Sequence, residues 1–221
     1  MNETGEAVQP VVAGPMADIL CQMAQSLAQR GWLPATSGNL SVSMGGTTGA
    51  QFAITRSGAD KQRLQATDLV VAGAGGQLLT AAVPGYRPSA EASVHAGLYE
   101  RFACGAILHV HTLPNNLCAE LYFSAGAMTV SDHELVKALG HWESDATLNI
   151  PIVENWHDLE QLAAAVVLAA QPDVPGVLVR NHGIYVWGED AGTALKHLEA
   201  FEFLFSYHVM RRLLMAQGAG L

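Results

Sequence analysis

The chain has 221 residues, half of them hydrophobic and only 14% charged, with a formal net charge of −9. That is enough apolar chain for the core of one domain, and the acidic balance argues against nucleic acid or an anionic membrane as partner, because both are drawn to Lys and Arg. A small phosphorylated substrate stays compatible, since backbone N–H groups at a helix start or tight turn can hold it. The three cysteines, Cys21, Cys104 and Cys118, sit in apolar runs. An odd number so placed points away from a disulfide framework and toward a reducing cytoplasm. The first residues carry no positive charge and lead into no apolar run, so no signal peptide is expected. No uncharged stretch is long enough to span a bilayer.

Residues 1–14 lack periodicity and read as a flexible N-terminal arm, leaving 15–221 as one domain. From Pro15 to Arg30, Ile19, Leu20, Met23 and Leu27 recur at helical spacing before Gly31 stops the helix. A turn through Thr36-Ser37-Gly38-Asn39 enters an alternating strand at Leu40–Met44, with Gln51–Thr55 as its hairpin partner. Leu69–Ala72 and Gln77–Leu79 form a second hairpin. The glycines between them lack the third glycine and the following helix of a dinucleotide fingerprint. Pro88-Ser89-Ala90-Glu91 opens a helix to about Phe102, with Ser89 as N-cap. The apolar strand Gly105–Thr112 follows, then a helix from Pro114 to Phe123, a short strand at Ala127–Val130 and a helix starting at Ser131-Asp132-His133-Glu134. Asn149–Val153 reads as a strand, Leu159–Ala170 as a helix, Gly176–Arg180 and Ile184–Trp187 as strands, and Asp190–Ala216 as a long helix. The sum is a single α/β domain, a largely antiparallel sheet flanked by helices.

The chemistry centres on Gly105–Thr112. On a strand, side chains alternate faces, so His109 and His111 point the same way. Two imidazoles at the end of an apolar strand are costly to bury unless their nitrogens are satisfied, either by backbone hydrogen bonds or by a divalent metal. Of the other histidines, His182 stands out at the tight junction of two apolar strands, where Gly183 lets backbone approach closely. Three histidines from two sheet segments would make an open metal site. A Lewis acid next to a carbonyl usually works with a carboxylate base, and Glu91 and Glu134 precede and follow the histidine strand. Each can equally be a glutamate placed at a helix start by the macrodipole. The serine–glycine loops around Asn39 and around Ser57-Gly58, with Ser89 and the charge of Lys61, offer donors that suit a phosphate.

Taken together and in this order, Ser37-Gly38-Asn39-Leu40-Ser41, Thr55-Arg56-Ser57-Gly58, Pro88-Ser89-Ala90-Glu91, His109-Val110-His111-Thr112 and Arg180-Asn181-His182-Gly183 resemble the class II aldolase/adducin family over about residues 15–215. The resemblance implies a central antiparallel sheet, a C4 tetramer with active sites at subunit interfaces, and one zinc ion per subunit held by His109, His111 and His182. It implies phosphate binding by Asn39, Ser57, Gly58 and Ser89, with Lys61 near. Arg-Gly-Trp-Leu-Pro-Ala-Thr-Ser-Gly-Asn, Ser-Gly-Ala-Asp-Lys and Asp-His-Glu-Leu-Val-Lys are most similar to the family's dehydratase branch. The implied reaction is loss of water from 5-methylthioribulose 1-phosphate in methionine salvage. In that branch the acid/base falls at Glu134. In the sugar-phosphate aldolases it falls at Glu91; this chain has both, and Glu134 is expected as the acid/base with Glu91 assisting. Aldol cleavage, pentose-phosphate 4-epimerisation and a non-catalytic adducin-like binding module are the family's other offers.

Overall fold

The computed structural model describes residues 8–45 and 51–218. Nine strands form one sheet in the order β4-β3-β2-β1-β5-β9-β8-β7-β6. These are β1 (Asn39–Ser43), β2 (Gln51–Thr55), β3 (Leu69–Gly73), β4 (Leu78–Ala81), β5 (Ala106–Val110), β6 (Ala127–Ser131), β7 (Thr147–Val153), β8 (Gly176–Val179) and β9 (Gly183–Gly188). All neighbours run antiparallel except β7 with β8. The expected sheet class therefore holds, with one parallel pair.

Helices cover both faces, which is why the central strands read as continuous apolar runs rather than alternating ones. On one face α1 (Pro15–Gln29), α3 (Leu113–Tyr122) and α5 (Ala191–Ala216) pack on Leu40, Leu108, Val110, Leu178, Ile184 and Val186. On the other, α2 (Ala92–Arg101) and α4 (Leu159–Ala169) pack on Phe52, Ile54, Ile107, Val177, Tyr185 and Trp187. Along β5 the alternation sends Ala106, Leu108 and Val110 to the first layer, leaving Ile107 and His109 for the second. Of the arm expected over 1–14, residues 1–7 lie outside the described part, and Val12 is buried in the core.

Two helix starts differ from the sequence reading. The helix expected from Pro88 begins at Ala92, with Glu91 in the N-cap position, so Ser89 is not the cap. Pro88 instead bridges to Arg56, which holds the preceding turn extended, and Ser89 Oγ accepts the Glu91 N–H. The segment expected as a helix from Ser131 is a 3₁₀ stretch, Glu134–Leu139, capped by His133 Nδ1 accepting the Leu135 N–H. Seven residues between a left-handed Asp132 and Gly140 leave little length for an α-helix. Ile19, expected inside α1, faces out.

No helix among the described residues is long and apolar enough to cross a membrane. Cys21, Cys104 and Cys118 are free thiols.

Candidate metal centre

The end of β5, the β8–β9 turn and the start of α2 meet at one point. His109 lies opposite Tyr185 on β9 and opposite Asn39 on β1, so three strands present adjacent side chains on one face. The Tyr185 ring stacks on the His109 imidazole, centroids 3.9 Å apart and planes 10° apart. His111 continues the same face, its N–H tied to the Trp32 carbonyl. His182 enters from the β8–β9 turn. That turn is locked by Arg180, which grips the Glu120 carboxylate through two hydrogen bonds, and by Asn116, which donates to the His182 carbonyl. Asn181 turns the chain in the left-handed region (φ 50°) and donates to the same Glu120.

The three imidazoles converge through their Nε2 atoms. His111 Nε2 lies 2.8 Å from His109 Nε2, and His109 Nε2 lies 3.3 Å from His182 Nε2. His109 Nδ1 donates to the Ile184 carbonyl and His182 Nδ1 donates to the Asn155 amide oxygen, at 3.0 and 3.1 Å. Those bonds put the ring protons on Nδ1 and leave the inward nitrogens as bare lone pairs. Burial, with the neighbouring imidazoles, keeps His109 and His111 neutral: His109 is pushed down to about 4 and His111 to about 2. The Glu91 carboxylate adds its oxygens to the same point, Oε1 at 3.0 Å from His182 Nε2 and Oε2 at 3.3 Å from His109 Nε2. Burial alone would raise the Glu91 pKa, but positive charge held at His109 and His182 when they are protonated, together with the Asn39 N–H, brings it below the usual carboxylate range. The bare Nε2 lone pairs of His109 and His182 and the carboxylate repel one another unless a cation sits among them. The donor set of three imidazoles with room for more ligands fits a divalent metal of the zinc type.

The same strand-and-turn geometry makes Asn155 an unpredicted part of the site. Replacing it with Ala should free the His182 ring and weaken divalent-metal binding by about 10–100-fold, read by competitive titration against a chelating dye.

Residues 18–209 match the family described as "Class II Aldolase and Adducin N-terminal domain". The chain belongs to the class II aldolase and adducin family. A protein named methylthioribulose-1-phosphate dehydratase in Persephonella marina is 41% identical over 201 residues, covering 91% of each chain. One of the same name in Bacillus pumilus is 43% identical over 200 residues, 90% of this chain and 93% of that one. Among solved structures, L-fuculose-1-phosphate aldolase of Thermus thermophilus superposes with a TM-score of 0.70 at 24% identity, over 93% of this chain and 98% of that one. Another L-fuculose 1-phosphate aldolase reaches 0.75 at 21% identity, over 92% and 89%. At those identities the structural matches carry the fold alone.

Against that family frame, the sequence-derived residues divide. His109, His111, His182 and Glu91 are brought together. Asn39 is close too, but its amide is taken up by protein: Nδ2 donates to Glu91 Oε2 at 2.7 Å, and Oδ1 faces His95 Nε2. Lys61 is buried and donates to the Thr36 carbonyl, tying the two serine–glycine loops together; burial lowers its pKa. Ser57 and Gly58 are exposed, Gly58 with φ 67°. The Ser37 hydroxyl, beside Gly38, is buried with no hydrogen-bond partner, an orphan that calls for a ligand.

Glu134 is not brought to the triad. Its side chain is 78% exposed and paired with Lys137. Among the described residues, Glu91 is the one carboxylate within 4 Å of the triad's ring nitrogens. Three other histidines are occupied elsewhere: His141 donates to the Asp173 carbonyl, His197 bonds to the Trp187 carbonyl and His208 to the Tyr122 hydroxyl.

Proposed function

We propose that this protein is a hydro-lyase that removes water from 5-methylthioribulose 1-phosphate to give 2,3-diketo-5-methylthiopentyl 1-phosphate, a step of methionine salvage. The observation that carries the reading is a partly buried three-histidine cluster with a glutamate carboxylate against it, in a chain about two-fifths identical to dehydratases of that name along nine-tenths of its length. We also propose that His109, His111 and His182 hold one zinc ion per subunit. Zinc there would supply a Lewis acid that makes the proton next to the substrate carbonyl acidic enough to remove.

The chain's own groups do the rest. Glu91, charged at neutral pH and aimed at the same point by Asn39, takes the C3 proton. The Nδ1–H groups of His109 and His182 are held by Ile184 and Asn155, which keeps both Nε2 atoms turned to the same point. Loss of the C4 hydroxyl needs an acid, and the resemblance assigns acid/base work to Glu134. Its exposure fits delivery to the site of a neighbouring subunit, which also accounts for apolar side chains left outside on α3 and α5, such as Leu113, Leu121, Phe203 and Met210. A homotetramer in the cytoplasm is the assembly and location that this reading proposes.

The phosphate is assigned to Ser57, Gly58, Ser89 and Lys61, with the second amide hydrogen of Asn39. The unpartnered Ser37 hydroxyl supports an anion at these loops. Two cavities flank them and His111, of about 370 and 620 Å³; the larger is lined by Trp32, Pro34, Leu113 and Pro114, a surface that suits the methylthio end.

The test is to supply 5-methylthioribulose 1-phosphate to purified protein with and without a strong chelator. The expected result is the diketone product, about one zinc per chain, and loss of turnover on chelation. Dihydroxyacetone phosphate as product would make the enzyme an aldolase instead, and protein without any bound metal would revive a binding module.

A further inference from the structure

Behind Glu91 and Asn39 lies a buried polar chain whose other members the reaction above does not use. On β1, Asn39 and Ser41 share one face of the strand and stand two residues apart. On α2, His95 lies one turn after Glu91 and presents its ring to both of them. His95 Nδ1 is 2.7 Å from Ser41 Oγ, His95 Nε2 is 2.5 Å from Asn39 Oδ1, and Ser41 Oγ is 2.9 Å from the Tyr99 hydroxyl. Asn39, Ser41, His95 and Tyr99 are all buried, with Phe52 and Tyr185 rings packed on the imidazole.

Each proton in this chain has one possible place. Asn39 Nδ2 donates to Glu91 Oε2 at 2.7 Å, so the amide oxygen is turned to the other side. The Asn39 oxygen then faces His95, so Nε2 must carry the ring proton. Full burial lowers the His95 pKa to about 4, which leaves the ring neutral and Nδ1 bare. Nδ1 therefore accepts from Ser41, whose oxygen is left to accept from Tyr99. Reversing any one bond would set two donors or two acceptors face to face at the next.

We propose that His95 is a positioning residue: through this one-way chain it fixes the Asn39 amide, which holds Glu91 Oε2 and leaves Oε1 to face His182 and the substrate. The role rests on the assignment of Glu91 as base, yet the chain itself can be read independently of any activity. A polar cluster that merely satisfied its own burial would tolerate either orientation of the Asn39 amide. This one sets the carboxylate rotamer to within the tolerance that proton transfer demands.

The experiment has two arms. Long-range ¹H–¹⁵N correlation spectra of the ¹⁵N-labelled protein should show His95 as the Nε2–H tautomer; an Nδ1–H tautomer overturns the proposal. In the second arm, His95→Phe keeps the ring volume without its nitrogens, and His95→Gln keeps an N–H to offer Asn39. For zinc-loaded protein, His95→Phe is expected to lower kcat by about 10–100-fold while KM stays within about twofold and zinc stoichiometry is unchanged. His95→Gln is expected to recover most of that loss. Equal loss in both variants, or a fall that follows zinc content, marks a structural role and overturns it. If the wild-type protein leaves 5-methylthioribulose 1-phosphate untouched, the functional reading fails, and the tautomer alone decides the chain.

Discussion

Glu91→Gln is expected to lower kcat by about 10²–10⁴-fold, the usual worth of a positioned general base, with zinc content unchanged. Gln is nearly isosteric, and the two imidazoles that touch Glu91, His109 and His182, have their tautomers set by Ile184 and Asn155 instead. The loss should therefore appear in turnover and not in metal affinity. Glu134→Gln is expected to be impaired as well, but for a different reason: its carboxylate, exposed and paired with Lys137, is outside the triad of its own chain. If it serves a neighbouring subunit, mixed assemblies of the two inactive variants regain activity. A site built from the intact Glu91 of one chain and the intact Glu134 of the next is whole, and random assortment would make about a quarter of sites so. No recovery on mixing, measured on co-expressed and co-purified variants, would remove Glu134 from that role. Full activity of Glu134→Gln would leave Glu91 as the sole acid/base.

The second large effect belongs to a glycine with no chemistry of its own. Gly183→Ala should cut zinc affinity at least about tenfold and destabilise the fold by about 1–3 kcal/mol, the range for forced overpacking. A Cβ at Gly183 would lie 2.3 Å from the Val110 carbonyl oxygen, 2.8 Å from His111 Cδ2 and 3.1 Å from His109 Cε1. Two of those neighbours are the imidazoles themselves, and the third is backbone between them, so relief requires β5 and β9 to separate. The strain thus acts on the metal ligands directly. Zinc titration and urea midpoints of the variant should both shift. A variant that binds zinc normally would mean that the β5–β9 spacing is looser than the contacts indicate.

Gly183 also shows why part of this site could be read before any folding. The spacing of His109 and His111 fixes their common face by strand geometry, and a histidine followed by glycine between two apolar runs marks a tight turn. Both are local properties, as are the apolar runs that place β5, β8 and β9 in a covered sheet. Glu91 was visible as a candidate because it stands near the histidine strand in the chain, but nothing local separates it from Glu134. The separation came from where each backbone segment goes: Pro88 is tied to Arg56 and swings Glu91 under the sheet, while the 3₁₀ stretch turns Glu134 outward.

What the sequence determined by itself is the sheet of apolar strands, the paired histidines, the companion His182 and a family whose motifs stand in order along the chain. Only the tertiary structure decided which carboxylate meets them. The bonds that matter there join residues far apart in sequence: Asn39 to Glu91, Asn39 and Ser41 to His95, Asn155 to His182. Periodicity reports the face on which a side chain lies, but it carries no information on which face of another element will be packed against it. That is set by the burial of both sheet faces beneath α1, α3 and α5 on one side and α2 and α4 on the other, which presses α2 onto β1 and turns two ordinary-looking polar residues of a strand into the support of a base.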